Sequence, residues 1–244
     1  MAYVVSRLVN ISVTPTHILI PQQCKTSFIL LFGFIYSKIV RYIFKLPILF
    51  LLTVSISYLI FDNQLLKSLV LKLVIVLLIF PISIALEETF HAAVLISSGR
   101  EEEVRDLFVA LVSINGFELF ATSVAVHFVG RFSPTDIIRL SFGGPGMALV
   151  LGVILSVLCV LIVNLLAVVH AIYMHIIIFS FIVSPLISLL PINARFESDG
   201  LKIFNFKKQL KLSFLELAKE LLVSLQLGFH FLYSSKIRRG YDVK

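Results

Sequence analysis

Long apolar runs broken by short polar or basic clusters set the pattern of this chain. Ser27–Phe44 is apolar up to Tyr36 and then carries Lys38 and Arg41. It is either a first spanning helix with a basic end or an amphipathic helix in the interface. Leu46–Phe61 is uncharged and stops at Asp62-Asn63-Gln64; with the turn before it, it reads as a span. Ser68–Ile96 is apolar from Leu73 to Leu86, contains Pro81, meets Glu87, Glu88 and His91, and turns apolar again at Ala92–Ile96. Ser97, Ser98 and Gly99 follow, and Gly is a natural C-cap.

Beyond a charged stretch, Arg100–Asp106, the period changes. Leu107–Gly130 mixes Val, Ile, Phe, Thr and Gly around Asn115-Gly116, which predicts short strands about a turn. Asp136–Val163 and Leu165–Leu190 are again long and apolar, the second closed by Pro191. Asn193–Gly200 is polar. Ser213–Tyr233 carries Glu216, Lys219 and Glu220 on an apolar background and suits a last helix in the membrane or on its surface. The pattern predicts an all-α membrane protein, a polytopic bundle of about four to six helices with a small strand-rich insertion around 107–130. Its parts would be an extramembrane segment (1–26), a membrane-embedded domain (27–233) and a basic C-terminal tail (234–244).

Composition agrees with that pattern. Of 244 residues 59% are hydrophobic and only 14% charged, with a mean hydropathy of +1.02. A soluble domain is nearer half apolar and a quarter charged, so the bilayer is the expected solvent and partner. The net charge of +7 sits between the apolar runs, at Lys38, Arg41 and Lys45, at Lys202, Lys207, Lys208 and Lys211, and at Lys236, Arg238 and Arg239. Such placement follows the positive-inside bias and anionic headgroups, and no basic groove pattern points to nucleic acid. Cys24 and Cys159 are too far apart for a metal pair or a disulfide framework. No compact signal peptide is visible in Met1–Leu30.

Ionisable groups inside an apolar helix are expensive, by about 3 kcal/mol each on insertion scales, and so call for a function. Glu87 and His91 are four apart and share a helix face. A carboxylate and an imidazole on one face can hold a divalent metal, with Glu88 turned toward a water. This is the logic of H-E-x-x-H, in which two His bind zinc and the Glu is the base. The bland alternative is a helix-end ion pair with Arg100 or Arg105, or a polar cluster that orients helices. His127 suits a loop or edge role. His170 and His175 fall on different faces of a helix and suit an interhelical contact. Glu101–Glu103 reads as a solvated charge run. Gly143–Gly146 lacks the G-K-[ST] of a phosphate loop and fits close backbone approach in a membrane.

Two more segments complete an ordered set. Ser141-Phe142-Gly143-Gly144-Pro145-Gly146-Met147-Ala148 opens one apolar helix, and Ser188-Leu189-Leu190-Pro191-Ile192 closes another shortly before Ser198-Asp199-Gly200. With Glu87–His91 this order resembles the site-2 protease family of intramembrane zinc metallopeptidases, over about Leu73–Phe204. That family has H-E-x-x-H on a membrane helix, a strand-rich insertion, a Gly-Pro motif, and an N-x-x-P…D-G motif whose Asp is the third zinc ligand. Here Glu87 stands in place of the first His and Ser188 in place of the Asn, and the stretch Asn193–Glu197 is longer than usual. These features look most like the peptide zinc metalloproteases of ribosomal-peptide (bacteriocin or epipeptide) clusters.

The resemblance implies a bacterial plasma-membrane enzyme that cleaves a small modified precursor peptide, with a peptide-export transporter as a further partner. Glu87, His91 and Asp199 would bind Zn²⁺, and Glu88 would take a proton from the attacking water. Two carboxylates on the metal also admit Mn²⁺ or Fe²⁺. Two other classes stay open. One is an inactive relative that binds a peptide or a transporter, as an accessory or immunity protein. The other is a transporter with an intramembrane Glu/His proton relay.

Overall fold

The structure is a computed structural model that describes residues 11–43, 64–114, 117–166, 179–192 and 198–241. In chain order it holds β1 (Ile11–Leu19), α1 (Gln22–Lys25), α2 (Phe28–Ile43) and α3 (Gln64–Ser97). A 3-10 turn at Glu101–Glu103 leads into the hairpin β2 (Val104–Ile114) and β3 (Phe117–Phe128). Then come α4 (Pro134–Leu166), a π-helical turn at Phe179–Val183, α5 (Ser184–Leu189), α6 (Asp199–Leu210) and α7 (Phe214–Tyr241). The chain is thus mainly helical with one small sheet. The apolar run at 46–61 lies outside the described residues, as do 167–178 of the run at 165–190, His170 and His175 among them. Among the described residues one helical stretch, Pro134–Leu158 of α4, is long and apolar enough to cross a membrane.

Local chemistry explains where these elements begin and end. Gly99, at φ +75°, ends α3 as a Schellman cap: its N–H donates to Ile96 O at 3.1 Å, and Arg100 N–H donates to Leu95 O at 3.0 Å. α4 begins at a capping box, in which Ser133 N–H donates to the Asp136 carboxylate and Asp136 N–H to Ser133 Oγ, both at 3.1 Å. Pro134 takes the first helical position, where its missing N–H costs nothing. A second box, Ser213 with Glu216, starts α7.

α3 and α4 pack side by side, and glycines set how closely. A Cβ at Gly143 would overlap Val94, and one at Gly144 would overlap the His91 ring. The Gly-Gly-Pro-Gly run therefore lies well inside α4 instead of opening it, and Gly143 and Gly144 face α3. On the other side of α3, the fully buried Leu31, Ile35 and Ile39 form a spacing-of-four seam along α2. α7 docks across both long helices. Arg139 Nε meets Glu220 Oε2 at 2.6 Å, and Ser97 Oγ donates to Leu227 O at 2.8 Å.

The sheet is antiparallel, in the order β1-β2-β3. The hairpin expected within 107–130 forms, while Asn115 and Gly116 lie outside the described residues. β1 was not expected. Residues 11–19, within the segment read as extramembrane, pair along β2 from Ile11↔Ile114 to Leu19↔Asp106. Along β2 the buried Leu107, Val109 and Leu111 alternate with Asp106, Phe108 and Ala110 on the opposite face. The start of the supposed basic tail also proves helical, because α7 continues through Ser234 to Tyr241.

Candidate metal centre

Four helices (α3, α4, α5 and α6) and the strand β3 build the site. The α3–α4 contact orients His91: its Nδ1 lies 2.7 Å from Leu140 O and donates to it, which turns Nε2 toward α6. Facing Nε2 is Asp199 Oδ2, at 3.4 Å. Glu87 lies one helical turn before His91 on α3. The ligand atoms of Glu87, His91 and Asp199 all fall within 4.8 Å of one another. Two ligands on a tetrahedral zinc with bonds of about 2.1 Å stand about 3.4 Å apart, so the donor set and the His91–Asp199 spacing suit such an ion.

Asp199 is held there by its neighbours. Ser198 caps α6: its Oγ accepts from Leu201 N at 3.2 Å and from Ile192 N at 3.0 Å, and donates to Leu190 O. Gly200 is needed because any Cβ there would overlap the Leu189 carbonyl. The Asp-Gly pair thus reads physically as a ligand followed by a residue small enough to bring the start of α6 against the end of α5. Lys202, one turn into α6, places Nζ 3.3 Å from Asp199 Oδ1.

Glu88 points elsewhere. Its Oε2 accepts a 2.7 Å bond from Val126 N–H of β3, and it lines a cavity of about 730 Å³ shared with His91, Asp199 and Lys202. Phe108, Val126, Phe128, Phe132 and Ile137 give that cavity an apolar wall. Glu88 is therefore within the cavity but outside the cluster of three donor groups.

The end of α5 also reaches the cluster, where Ser188 hydrogen-bonds to Glu87.

The structure corrects the ion-pair alternative for this segment. Arg100 binds Glu103 at 2.8 Å and Asp136 at 3.0 Å, and Arg105 lies 3.9 Å from Asp106, so neither serves Glu87 or Glu88. Glu101–Glu103 has no buried residue, as expected of a solvated run, and it also ties down α1, since Gln22 donates to the Glu101 side chain and Lys25 to its carbonyl.

Sequence reasoning missed two features. Lys202 was read only as part of a basic cluster, although its i+3 spacing from Asp199 marks it as a neighbour. A second donor group, His17, Asp106 and His127, gathers on the sheet; its ligand atoms also lie within 4.8 Å of one another. Nothing in the local sequence joins those residues, because β1 had not been foreseen. No family model, curated protein or solved structure matches this chain, so its reading rests on the geometry and the motif order.

Proposed function

We propose that this chain is an intramembrane-type zinc metalloendopeptidase that processes a small, ribosomally made and modified precursor peptide at the bacterial plasma membrane. The observation that carries the reading is the convergence of Glu87 and His91 on α3 with Asp199 on α6, beside Glu88 in one cavity. Glu87, His91 and Asp199 would hold the ion, which when bound supplies an acidified water and polarises the scissile carbonyl. Glu88 is the general base: it takes the proton of the attacking water and delivers it to the leaving amine. The Val126 N–H fixes the Glu88 carboxylate, and Ser188 fixes Glu87. Leu140 holds His91 in the tautomer that offers Nε2. The apolar wall keeps bulk water from the peptide bond and suits an extended, apolar peptide segment. The apolar composition of the whole chain is the support for a multi-pass protein, with a peptide exporter as a natural neighbour.

A second reading has its own observation. His91, Asp199 and Lys202 close on one another as an ion-paired chain that needs no metal, the arrangement an inactive peptide- or transporter-binding relative would keep. Elemental analysis of the detergent-purified chain, beside His91→Ala and Asp199→Ala, separates the two. The peptidase reading expects zinc that both variants lose from the buried site. Equal zinc in all three proteins would favour the ion-paired chain and the inactive relative.

A further inference from the structure

The sheet carries a donor cluster that the proposed peptidase chemistry does not use. His17 on β1, Asp106 on β2 and His127 on β3 stand on one face of three adjacent strands. Asp106 is the direct partner of Leu19 on β1 and of His127 on β3, and His17 lies two residues before Leu19, on the same face. A register shift between Val104 and Asp106 in the β2–β3 pairing falls beside the cluster. His17 Nδ1 lies 2.8 Å and His127 Nδ1 3.3 Å from the same oxygen, Asp106 Oδ1. The two imidazole rings stand 5.4 Å apart at 66° to each other.

We propose that His17, Asp106 and His127 form a second metal site, which takes a divalent transition-metal ion of the zinc class and fastens β1 to the hairpin. The donor set selects the ion class. Two imidazole nitrogens and one carboxylate suit zinc and its borderline neighbours, whereas calcium and magnesium demand oxygen ligands. The carboxylate is 5% exposed but the imidazoles are 49% and 46% exposed, so the cluster is anchored on the sheet side and open outward to water. Three protein ligands with an open position is an ordinary zinc arrangement. The strand ladder holds the three residues in place, so binding the ion requires little ordering of side chains. Among the described residues the cation that competes for Asp106 is Arg105, whose Nε is 3.9 Å from Asp106 Oδ2 and whose side chain is 61% exposed. Phe108 packs edge-on against His17, with ring centroids 5.5 Å apart, and closes one flank.

The position gives the site a purpose. His127 and Phe108 also line the cavity that contains Glu88 and His91. β1 is an edge strand that hydrogen-bonds only to β2 within the sheet, so an ion bridging all three strands would lock the wall of that cavity.

The test is equilibrium dialysis of the full-length, detergent-purified chain against buffered Zn²⁺ alone. Zinc per chain is measured in the unaltered protein, in His17→Gln/His127→Gln, in His91→Ala and in the triple variant. Glutamine keeps a hydrogen bond to Asp106 while discarding the imidazole ligands. The expected result is loss of one zinc per chain on replacing the two sheet histidines, whether or not His91 is present. That difference is independent of the buried centre, which His91→Ala reports separately. In the unaltered chain zinc should raise the unfolding temperature by several degrees more than in the double variant. If the double variant does not fold, His17→Gln and His127→Gln singly should each weaken zinc binding at this site at least tenfold. Equal zinc content and affinity with and without the sheet histidines would overturn the proposal.

Discussion

Two clusters of one imidazole-and-carboxylate chemistry differ in this molecule chiefly in the burial of their histidines. Glu87, His91 and Asp199 lie inside the helical body, and His17, Asp106 and His127 lie on a sheet face with both histidines half exposed. The buried cluster is assembled from helices distant in sequence and is held by Leu140, Ser188 and Lys202. The sheet cluster is assembled by strand register alone. The difference teaches where the energy of each should lie. Charges in the buried site have lost water and must be matched by protein partners, so removing one leaves a costly remainder. The sheet histidines keep much of their water, so their attraction to the buried Asp106 carboxylate is screened and small unless an ion binds.

The largest expected effect is on the buried side. His91→Ala or Asp199→Ala should abolish peptidase activity and remove the ion from the buried site, read by elemental analysis beside a peptide-cleavage assay. Each should also destabilise the chain, by about 3 kcal/mol if the partner stays charged and buried, which denaturant unfolding would measure. An active His91→Ala protein would remove this cluster from the chemistry.

Next is Glu88→Gln. Gln can still accept the Val126 N–H but takes no proton, so turnover should fall by about 10² to 10⁴ while zinc content stays the same. Full activity in this variant would show that the base lies elsewhere.

Gly144→Ala comes third. The new methyl would overlap His91 and force α4 from α3, costing about 1–3 kcal/mol by thermal or denaturant unfolding, with weaker zinc binding. Unchanged stability and zinc affinity would mean that the two helices are not packed as closely as Gly143 and Gly144 allow.

The smallest effect belongs to the sheet. In metal-free buffer His17→Gln should change stability by less than about 1 kcal/mol, since the imidazole it replaces is half exposed. Burial pushes the Asp106 carboxyl up, but hydrogen bonds from His17 and His127 outweigh it and hold the group below its usual range. A depressed carboxyl stabilises the fold at pH values above its unfolded value of about 4, and that contribution fades as pH falls through the lower folded value. His17→Gln should therefore reduce the slope of stability against pH below about pH 4. An unchanged slope would show that His17 does little to hold Asp106 ionised.

Much of this was open to a reader of the chain alone. The change of period after Arg100 marked the hairpin, Gly99 marked the end of α3, and Glu87 and His91 declared a shared face by their spacing. These are local matters, set by backbone preference and side-chain period within a few residues. Sequence alone also gave the high apolar content and the order of the motif segments. Other features required contacts between distant parts of the chain. That Asp199 faces His91 depends on α6 seating Gly200 against Leu189, and that Ser188 partners Glu87 depends on the end of α5 reaching α3. The capture of Ile11–Leu19 by β2 follows from an edge left unpaired by the hairpin; the alternation Ile11-Ser12-Val13-Thr14 suits a strand, but nothing local names the strand it joins. Composition and spacing determined which residues were worth a wager. Only the tertiary structure decided which of them meet, because strand pairing and helix approach are set by the shape and hydrogen-bonding needs of partners far away in sequence.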